Sequence, residues 1–232
     1  MSNSFRPNIT HVIFDMDGLL IDTERLYTIV YEEICSEYDK KYTWEIKERC
    51  MGRKAGDGAK IMIDTLQLPL TVEELLAKAR EKQNKLFPQS QLMPGAEKLV
   101  KHLHQHRIPI AVATGSASKL YEVKTTKHKE LFSLFHHIVC CGDDPDVKNG
   151  KPHPDAYVVA LQRFESPIPN PEQVLVFEDA ITGVMSGKAA GMYVIIVPDQ
   201  RMDAAKTKDA HKRLNSLEEF VPENWGLPAY SS

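Results

Sequence analysis

The stretch His11-Val-Ile-Phe-Asp-Met-Asp-Gly-Leu-Leu20 decides the fold. Val12-Ile13-Phe14 is a short apolar run that reads as a buried strand, and Gly18 breaks it. Asp15 and Asp17 lie between, one residue apart. On an extended chain the i and i+2 side chains share one side, so both carboxylates reach a single point. Like charges that close are costly unless a cation or a shared proton relieves them. In an open parallel sheet, ligands bind just beyond the carboxyl ends of the strands, where this pair falls. Taken alone, the pattern also fits a strand that ends in a solvated acidic turn.

Working outward, no strand pattern interrupts residues 22 to 88. Helical spacing runs over Glu24–Tyr38, then over Trp44–Cys50 and Ala55–Leu66. Thr71 and Glu74 form a capping box opening a fourth helix to about Leu86, each side chain answering the other's free backbone donor. Beyond Met93-Pro94-Gly95 the pattern alternates. A helix over 96–106 precedes strand Ile108–Thr114, and one helix over about 117–130 precedes strand His137–Cys141. Helices 155–164 and 182–190 precede strands Val174–Phe177 and Tyr193–Val197, with Gly191 as a left-handed cap. Strands nearly pure in Val and Ile, separated by helices, imply a parallel sheet covered on both faces. The tail, with Phe220, Trp225 and Leu227, is expected to dock on the core.

Three later stretches extend the opening motif: Ala111-Val-Ala-Thr-Gly-Ser116, Gly150-Lys-Pro-His-Pro-Asp155 and Val174-Leu-Val-Phe-Glu-Asp179. With the strand–DxDG opening, the four in this order resemble the haloacid dehalogenase-like phosphohydrolases. The resemblance implies a Rossmann-like, doubly wound α/β core over 1–21 and 89–232. It also implies an inserted all-helical cap over 22–88 that sets substrate specificity.

It further implies a reaction. Cleaving a phosphate monoester needs a nucleophile, a proton for the leaving oxygen and positive charge around the phosphoryl group. Asp15 is the expected nucleophile, forming an aspartyl-phosphate. Asp17 is the expected general acid and base, its pKa raised by nearby acids and desolvation. Gly18 lets backbone approach the phosphate. Thr114 offers it a hydroxyl, while Gly115 and Ser116 offer free amides at a helix opening. Lys151 supplies fixed positive charge. Magnesium, which prefers oxygen ligands, is the expected cofactor. Its ligands are the Asp15 carboxylate, the Asp17 backbone carbonyl and Asp179, with Glu178 as a ligand or just behind. His153 departs from the family's motif and is expected to face solvent. Arg53 and Lys54, on a loop above the site, are candidate substrate contacts or ordinary surface charges.

Composition bounds the alternatives. The chain has 232 residues, 42% hydrophobic, with 29 basic and 32 acidic side chains for a formal charge of −3. It can bury a core. The balance gives no electrostatic reason to bind a nucleic acid polymer or an anionic membrane. Apolar runs such as Tyr193–Val197 fall far short of the roughly 18–20 residues of a membrane span. The start, Met1-Ser-Asn-Ser-Phe-Arg-Pro7, carries no apolar signal region. A soluble cytosolic monomer acting on a small phosphorylated metabolite is the expectation. Cys35, Cys50, Cys140 and Cys141 form no Cys-x-x-Cys pair and are expected as reduced thiols. His102, His104 and His106, spaced by two on a helix, point to different faces and make no metal site.

Substrate is read outside the catalytic motifs. Tyr38–Trp44, His128–Phe135, Gly142–Pro145 and Gly226–Pro228 are similar to the branch of the family that dephosphorylates pseudouridine 5′-phosphate. Glycerol 3-phosphate or a small phosphosugar is the alternative substrate, and a phosphomutase would use the same four motifs. A catalytically silent regulatory module is the remaining reading, but it would need no such set of acids and lysine.

Overall fold

The computed structural model describes residues 7–51, 53 and 55–231. Six parallel strands form its sheet: β1 (His11–Phe14), β2 (Ile110–Thr114), β3 (His137–Cys140), β4 (Val174–Glu178), β5 (Tyr193–Ile196) and β6 (Lys212–Arg213). Their spatial order is β3-β2-β1-β4-β5-β6. The chain thus builds outward from β1 on one side, then returns to β1's other edge to lay down β4. The reversal makes the carboxyl ends of β1 and β4 a topological switch point, where open α/β sheets bind ligands.

Period-two alternation divides the strand residues between two buried faces. Val12, Phe14, Ile110, Val112, Leu175 and Phe177 face one core, with Leu99, Val100 and Leu103 of α5 (Ala96–Gln105). Ile13, Ala111, Ala113, Val174 and Val176 face the other. There they pack on α8 (Asp155–Gln162) and α9 (Ile181–Ala189) through residues such as Tyr157, Ala160 and Val184. Both faces are covered, which is why the strands read as continuous apolar runs. Phe14 lies fully buried, stacked 5.1 Å from Phe177 and edge-on to Phe135 at 5.9 Å.

Between β1 and β2 the chain forms α1 (Thr23–Ser36), α2 (Trp44–Cys50), α3 (Ala55–Leu66) and α4 (Val72–Leu86). Val30, Ile34, Tyr42, Met62, Leu75 and Ala79 give these helices their own apolar cluster. The Thr71–Glu74 capping box is present in both directions. The two crossings into this unit pair with each other: the Asp22 amide donates to the Gln91 carbonyl, and the Met93 amide to that of Leu20. No helix of the described residues is long and apolar enough to cross a membrane.

Three expectations are corrected. The helix expected over 117–130 is two, α6 (Ser118–Lys124) and α7 (Lys129–Phe132). Ser90, distant in sequence, ends the first by donating its hydroxyl to the Lys124 carbonyl, and its own carbonyl bonds His128. Thr125 and Thr126 turn their hydroxyls back onto carbonyls of α6, a local competitor of helix propagation. Strand β6, two residues long, has no apolar run to announce it. His102 is buried rather than on a surface helix, because the tail covers it: its ring bonds the Pro228 carbonyl at 2.8 Å and packs on Tyr230. The tail docks as expected, with Phe220 edge-on to Phe177 at 4.8 Å and Leu227 buried. All four cysteines are free thiols.

Since Phe14 is fully buried and packs on both Phe177 and Phe135, Phe14→Ala should cost about 3–5 kcal/mol of stability, the range for removing a buried Phe ring. Urea unfolding would measure it, and a loss below about 1 kcal/mol would contradict the packing described.

Candidate active site

The carboxyl ends of β1, β2 and β4 converge on a cavity of about 460 Å³, roofed by the helical unit. Asp15 leaves β1 with its amide bonded to the Phe177 carbonyl of β4, which fixes its position at the switch point. Lys151 reaches it from the turn before α8, and the Lys151–Pro152 peptide bond that follows is cis. The lysine Nζ donates to Asp15 Oδ1 at 2.7 Å, to Glu178 Oε1 at 2.6 Å and to the Ala113 carbonyl at 3.1 Å. All three charged groups are buried. Such a cluster persists only if each charge is paired and hydrogen-bonded.

Glu178 meets that condition fully. Its Oε1 also accepts from the Tyr157 hydroxyl at 2.5 Å, and its Oε2 accepts the Asp179 and Ala180 amides at 3.0 and 3.1 Å. With two bonds on each oxygen, Glu178 is spent on holding Lys151. Asp179, 5% exposed, accepts no hydrogen bond among the described residues. Burial first, then the charges of Asp15 and Glu178, push its pKa well above the ordinary carboxylate value. Burial likewise lifts Asp15 to about 7 against the pull of Lys151.

Carboxylate oxygens of Asp15, Glu178 and Asp179 lie within 4.8 Å of one another. The donor set is all oxygen and holds more negative charge than one lysine offsets, which suits a hard divalent cation. Asp15 and Asp179 are the members with an oxygen to offer it.

Asp17 departs from expectation. Desolvation acts to raise its pKa, but attraction to Lys124 and hydrogen bonds from Lys124, Thr23 and Ser116 outweigh it and hold the carboxyl below its usual value. Lys124 Nζ lies 2.5 Å from Asp17 Oδ1 and also donates to Ser116 Oγ at 2.8 Å and Tyr27 Oη at 2.9 Å. Thr114 and Ser116 spend their hydroxyls on Asp17 Oδ2, at 3.2 and 3.1 Å. Of the two amides expected near the opening of α6, those of Gly115 and Ser116, the Ser116 amide is engaged, donating to Thr114 Oγ1. The amide of Ser118 donates to the Asp143 carboxylate. Gly115 lines the cavity with open space where a side chain would project.

Gly18 is confined by its neighbours. Its φ of +80° suits glycine, and a Cβ would strike Asp179 Oδ2 and come within 2.8 Å of Glu24 Cγ. Arg53 lines the cavity, is exposed, and donates from Nε to the Arg49 carbonyl at 2.8 Å. Lys54 lies outside the described residues. His153 faces solvent as expected.

Comparison with known proteins follows this geometry. A sequence model described as haloacid dehalogenase-like hydrolase matches residues 9–191. The chain belongs to the haloacid dehalogenase-like hydrolases. It is 48% identical over 227 residues to (DL)-glycerol-3-phosphatase 2 of Arabidopsis thaliana, covering 97% of this chain and 94% of that one. It is 47% identical over 231 residues to a probable pseudouridine-5′-phosphatase of Drosophila melanogaster, covering 100% of both. Among solved structures, CbbY from Rhodobacter sphaeroides, in complex with phosphate, shares the fold. That match has a TM-score of 0.74 at 24% identity and covers 91% of this chain and 96% of that one.

Within this haloacid dehalogenase-like site, several groups escaped the sequence reading. Lys124 stands among Lys119, Lys127 and Lys129 with nothing in composition to mark it. Its one signal is helical spacing from Leu120 and Tyr121, which puts it on the inward face. Glu24, paired with Lys47 at 3.3 Å, Tyr157 and Gln83 gave none.

Glycine 183 follows from the same packing. On α9 its missing side chain leaves the space that the Glu178 carboxylate fills, and a Cβ there would overlap that carboxylate. In an exposed helix Gly→Ala gains about 1 kcal/mol. Gly183→Ala should instead lower the melting temperature, because it expels the anchor of Lys151. Calorimetry giving an unchanged or higher melting temperature would contradict this.

Proposed function

We propose that the chain is a magnesium-dependent phosphomonoester hydrolase that works through an aspartyl-phosphate on Asp15, with pseudouridine 5′-phosphate as its substrate. The observation that carries this is the set of contacts at Asp15. Asp15 lines the cavity; its Oδ1 is held by Lys151, while Oδ2 accepts no hydrogen bond among the described residues. A carboxylate so oriented is a nucleophile whose attacking atom is already stripped of hydrogen bonds.

Asp15 Oδ2 attacks phosphorus, and the bond from phosphorus to the ester oxygen breaks. Asp17 gives its proton to that oxygen, so the alcohol leaves neutral. The bound phosphoryl dianion beside Asp17 favours the protonated carboxyl needed here, while Lys124 favours the carboxylate needed next. In the second half Asp17 takes a proton from water as the water oxygen attacks phosphorus. The bond to Asp15 breaks, inorganic phosphate leaves, and Lys151 steadies Asp15 throughout. Magnesium would be held by the Asp15 and Asp179 carboxylates and the Asp17 main-chain carbonyl, and it supplies positive charge that offsets the phosphoryl oxygens. Glu178 serves behind it, as the anchor of Lys151.

Every group named lies within one chain, so a monomer suffices. The α1–α4 unit acts as a cap: it closes the cavity and presents Arg53 and, by its place in the sequence, Lys54 to the substrate. The glycerol-3-phosphatase and pseudouridine-5′-phosphatase relatives divide almost equally in identity, so similarity alone does not rank their substrates. The cavity of about 460 Å³ favours the larger, being of the size that encloses a whole small-molecule ligand.

Asp15→Asn keeps the shape and removes the nucleophile. Phosphate release from pseudouridine 5′-phosphate should fall to background with the circular dichroism unchanged, and residual turnover within about tenfold of the wild type would sink the assignment. Chelating magnesium should abolish activity, and calcium should not restore it, since it takes more ligands at longer distances and misplaces the nucleophile. Full turnover in excess chelator would remove the metal from the scheme.

A further inference from the structure

The cavity extends well past the carboxylates, and its far end differs in chemistry. Asp15, Lys151 and Asp179 line one end. Tyr31, Tyr42, Met62 and Leu76, from α1, the stretch before α2, α3 and α4, line the part beneath the helical unit. Tyr31 and Tyr42 stand 5.4 Å apart between ring centroids, and Tyr27 stacks on Tyr31 at 6.1 Å. Polar side chains interrupt this wall, among them Lys47, Arg80 and Asn84. Gln83, on α4, is 7% exposed and borders the cavity. Its carboxamide makes no hydrogen bond to any described residue, whereas the buried Lys47, Lys124 and Lys151 of the same site each pair with a carboxylate. No fully buried side-chain nitrogen or oxygen among the described residues lacks a partner, so the Gln83 amide opens on the cavity and is free to pair with what enters.

A primary amide offers one donor and one acceptor side by side. Its complement is a donor beside an acceptor, the arrangement by which glutamine reads a base edge, and an N–H adjacent to a C=O supplies it. Aromatic walls suit the faces of a flat ring. A glycerol or open-chain sugar moiety would leave the carboxamide unanswered and the tyrosine faces bare.

We propose that Gln83 is a specificity residue: its carboxamide reads the N–H and C=O edge of a uracil-type ring that the tyrosine wall holds flat, while the 5′-phosphate occupies Asp15 and Lys151. This rests on the phosphomonoester hydrolase reading and adds the part of the substrate that selects it.

The test compares kcat/KM for pseudouridine 5′-phosphate, glycerol 3-phosphate and para-nitrophenyl phosphate in the wild type and in Gln83→Leu. Losing two neutral hydrogen bonds should lower the value for the nucleotide about tenfold or more and leave the two small esters within about twofold. Equal losses on all three, or no loss on the nucleotide, would overturn the assignment of Gln83. So would a wild type that prefers glycerol 3-phosphate to the nucleotide, and each of these results would leave the hydrolase reading standing. Release of phosphate from none of the three esters would instead fell the hydrolase reading, and this inference with it. Should leucine at this position prevent folding, Gln83→Asn withdraws the amide by one methylene and must show the same selective loss. Titration calorimetry of pseudouridine 5′-phosphate into Asp15→Asn, with and without the change at Gln83, reads the contact without turnover. Equal affinities there would also overturn it.

Discussion

The ion triplet of Asp15, Lys151 and Glu178 is the constraint on which the rest depends. Three buried charges at 2.6–2.7 Å separations are tolerable only if each is answered on every side. That requirement explains features scattered along the chain. Tyr157 must bring its hydroxyl to Glu178, so α8 packs where it does. The amides after β4 must turn onto Glu178 Oε2, and α9 must carry a glycine at 183 to leave the carboxylate room. One lysine cannot neutralise Asp15, Glu178 and Asp179 together. The site is left with a surplus of negative charge that favours a cation and, through it, a phosphate ester.

A second ion pair, Lys124 with Asp17, sets the other half of the site. It is built from elements the first does not use: the end of α6, the Ser116 hydroxyl and Tyr27 of α1. The two lysines give the two aspartates different surroundings although the aspartates are two residues apart in sequence. Asp15 is fixed through one oxygen and left bare on the other. Asp17 is surrounded by donors, which fit it to exchange a proton at a defined place. Tyr27 belongs to the helical unit, so the surroundings of Asp17 are completed from both sides of the cavity. Thr23, on the same helix, donates to Asp17 directly, so the helical unit reaches this group through two side chains.

The division of labour between the two parts follows from their chemistry. The sheet ends supply charge, backbone amides and fixed carboxylates, which suit a phosphoryl group whatever it is attached to. The helical unit supplies aromatic surface and a neutral amide, which suit the remainder of a substrate. Relatives with almost equal identity to this chain carry the names of phosphatases for different substrates. That is what a constant sheet end beneath a variable roof would produce.

Much of this was legible in the sequence, for a physical reason. Strands of a doubly covered parallel sheet must be apolar on both faces, so each is announced by its Val and Ile run. Reactive groups at the carboxyl ends follow those runs directly, as Asp15, Thr114 and Asp179 do. The capping box at Thr71 is a local contact and was equally visible. What the tertiary structure alone decided depends on partners distant in the chain. Lys124 became the partner of Asp17, 107 residues away, because Ser90 ends α6 at that point. This reversed the expected direction of the Asp17 pKa. Glu178, expected as a metal ligand or just behind one, anchors Lys151 while Tyr157 and two amides fill its oxygens. His102 was buried by a tail bond to the Pro228 carbonyl, 126 residues on. Gln83 came to face the cavity without a hydrogen-bond partner among the described residues. Local pattern determines which elements form and where reactive residues stand on them; only packing determines which charges meet and which polar groups are left for a ligand.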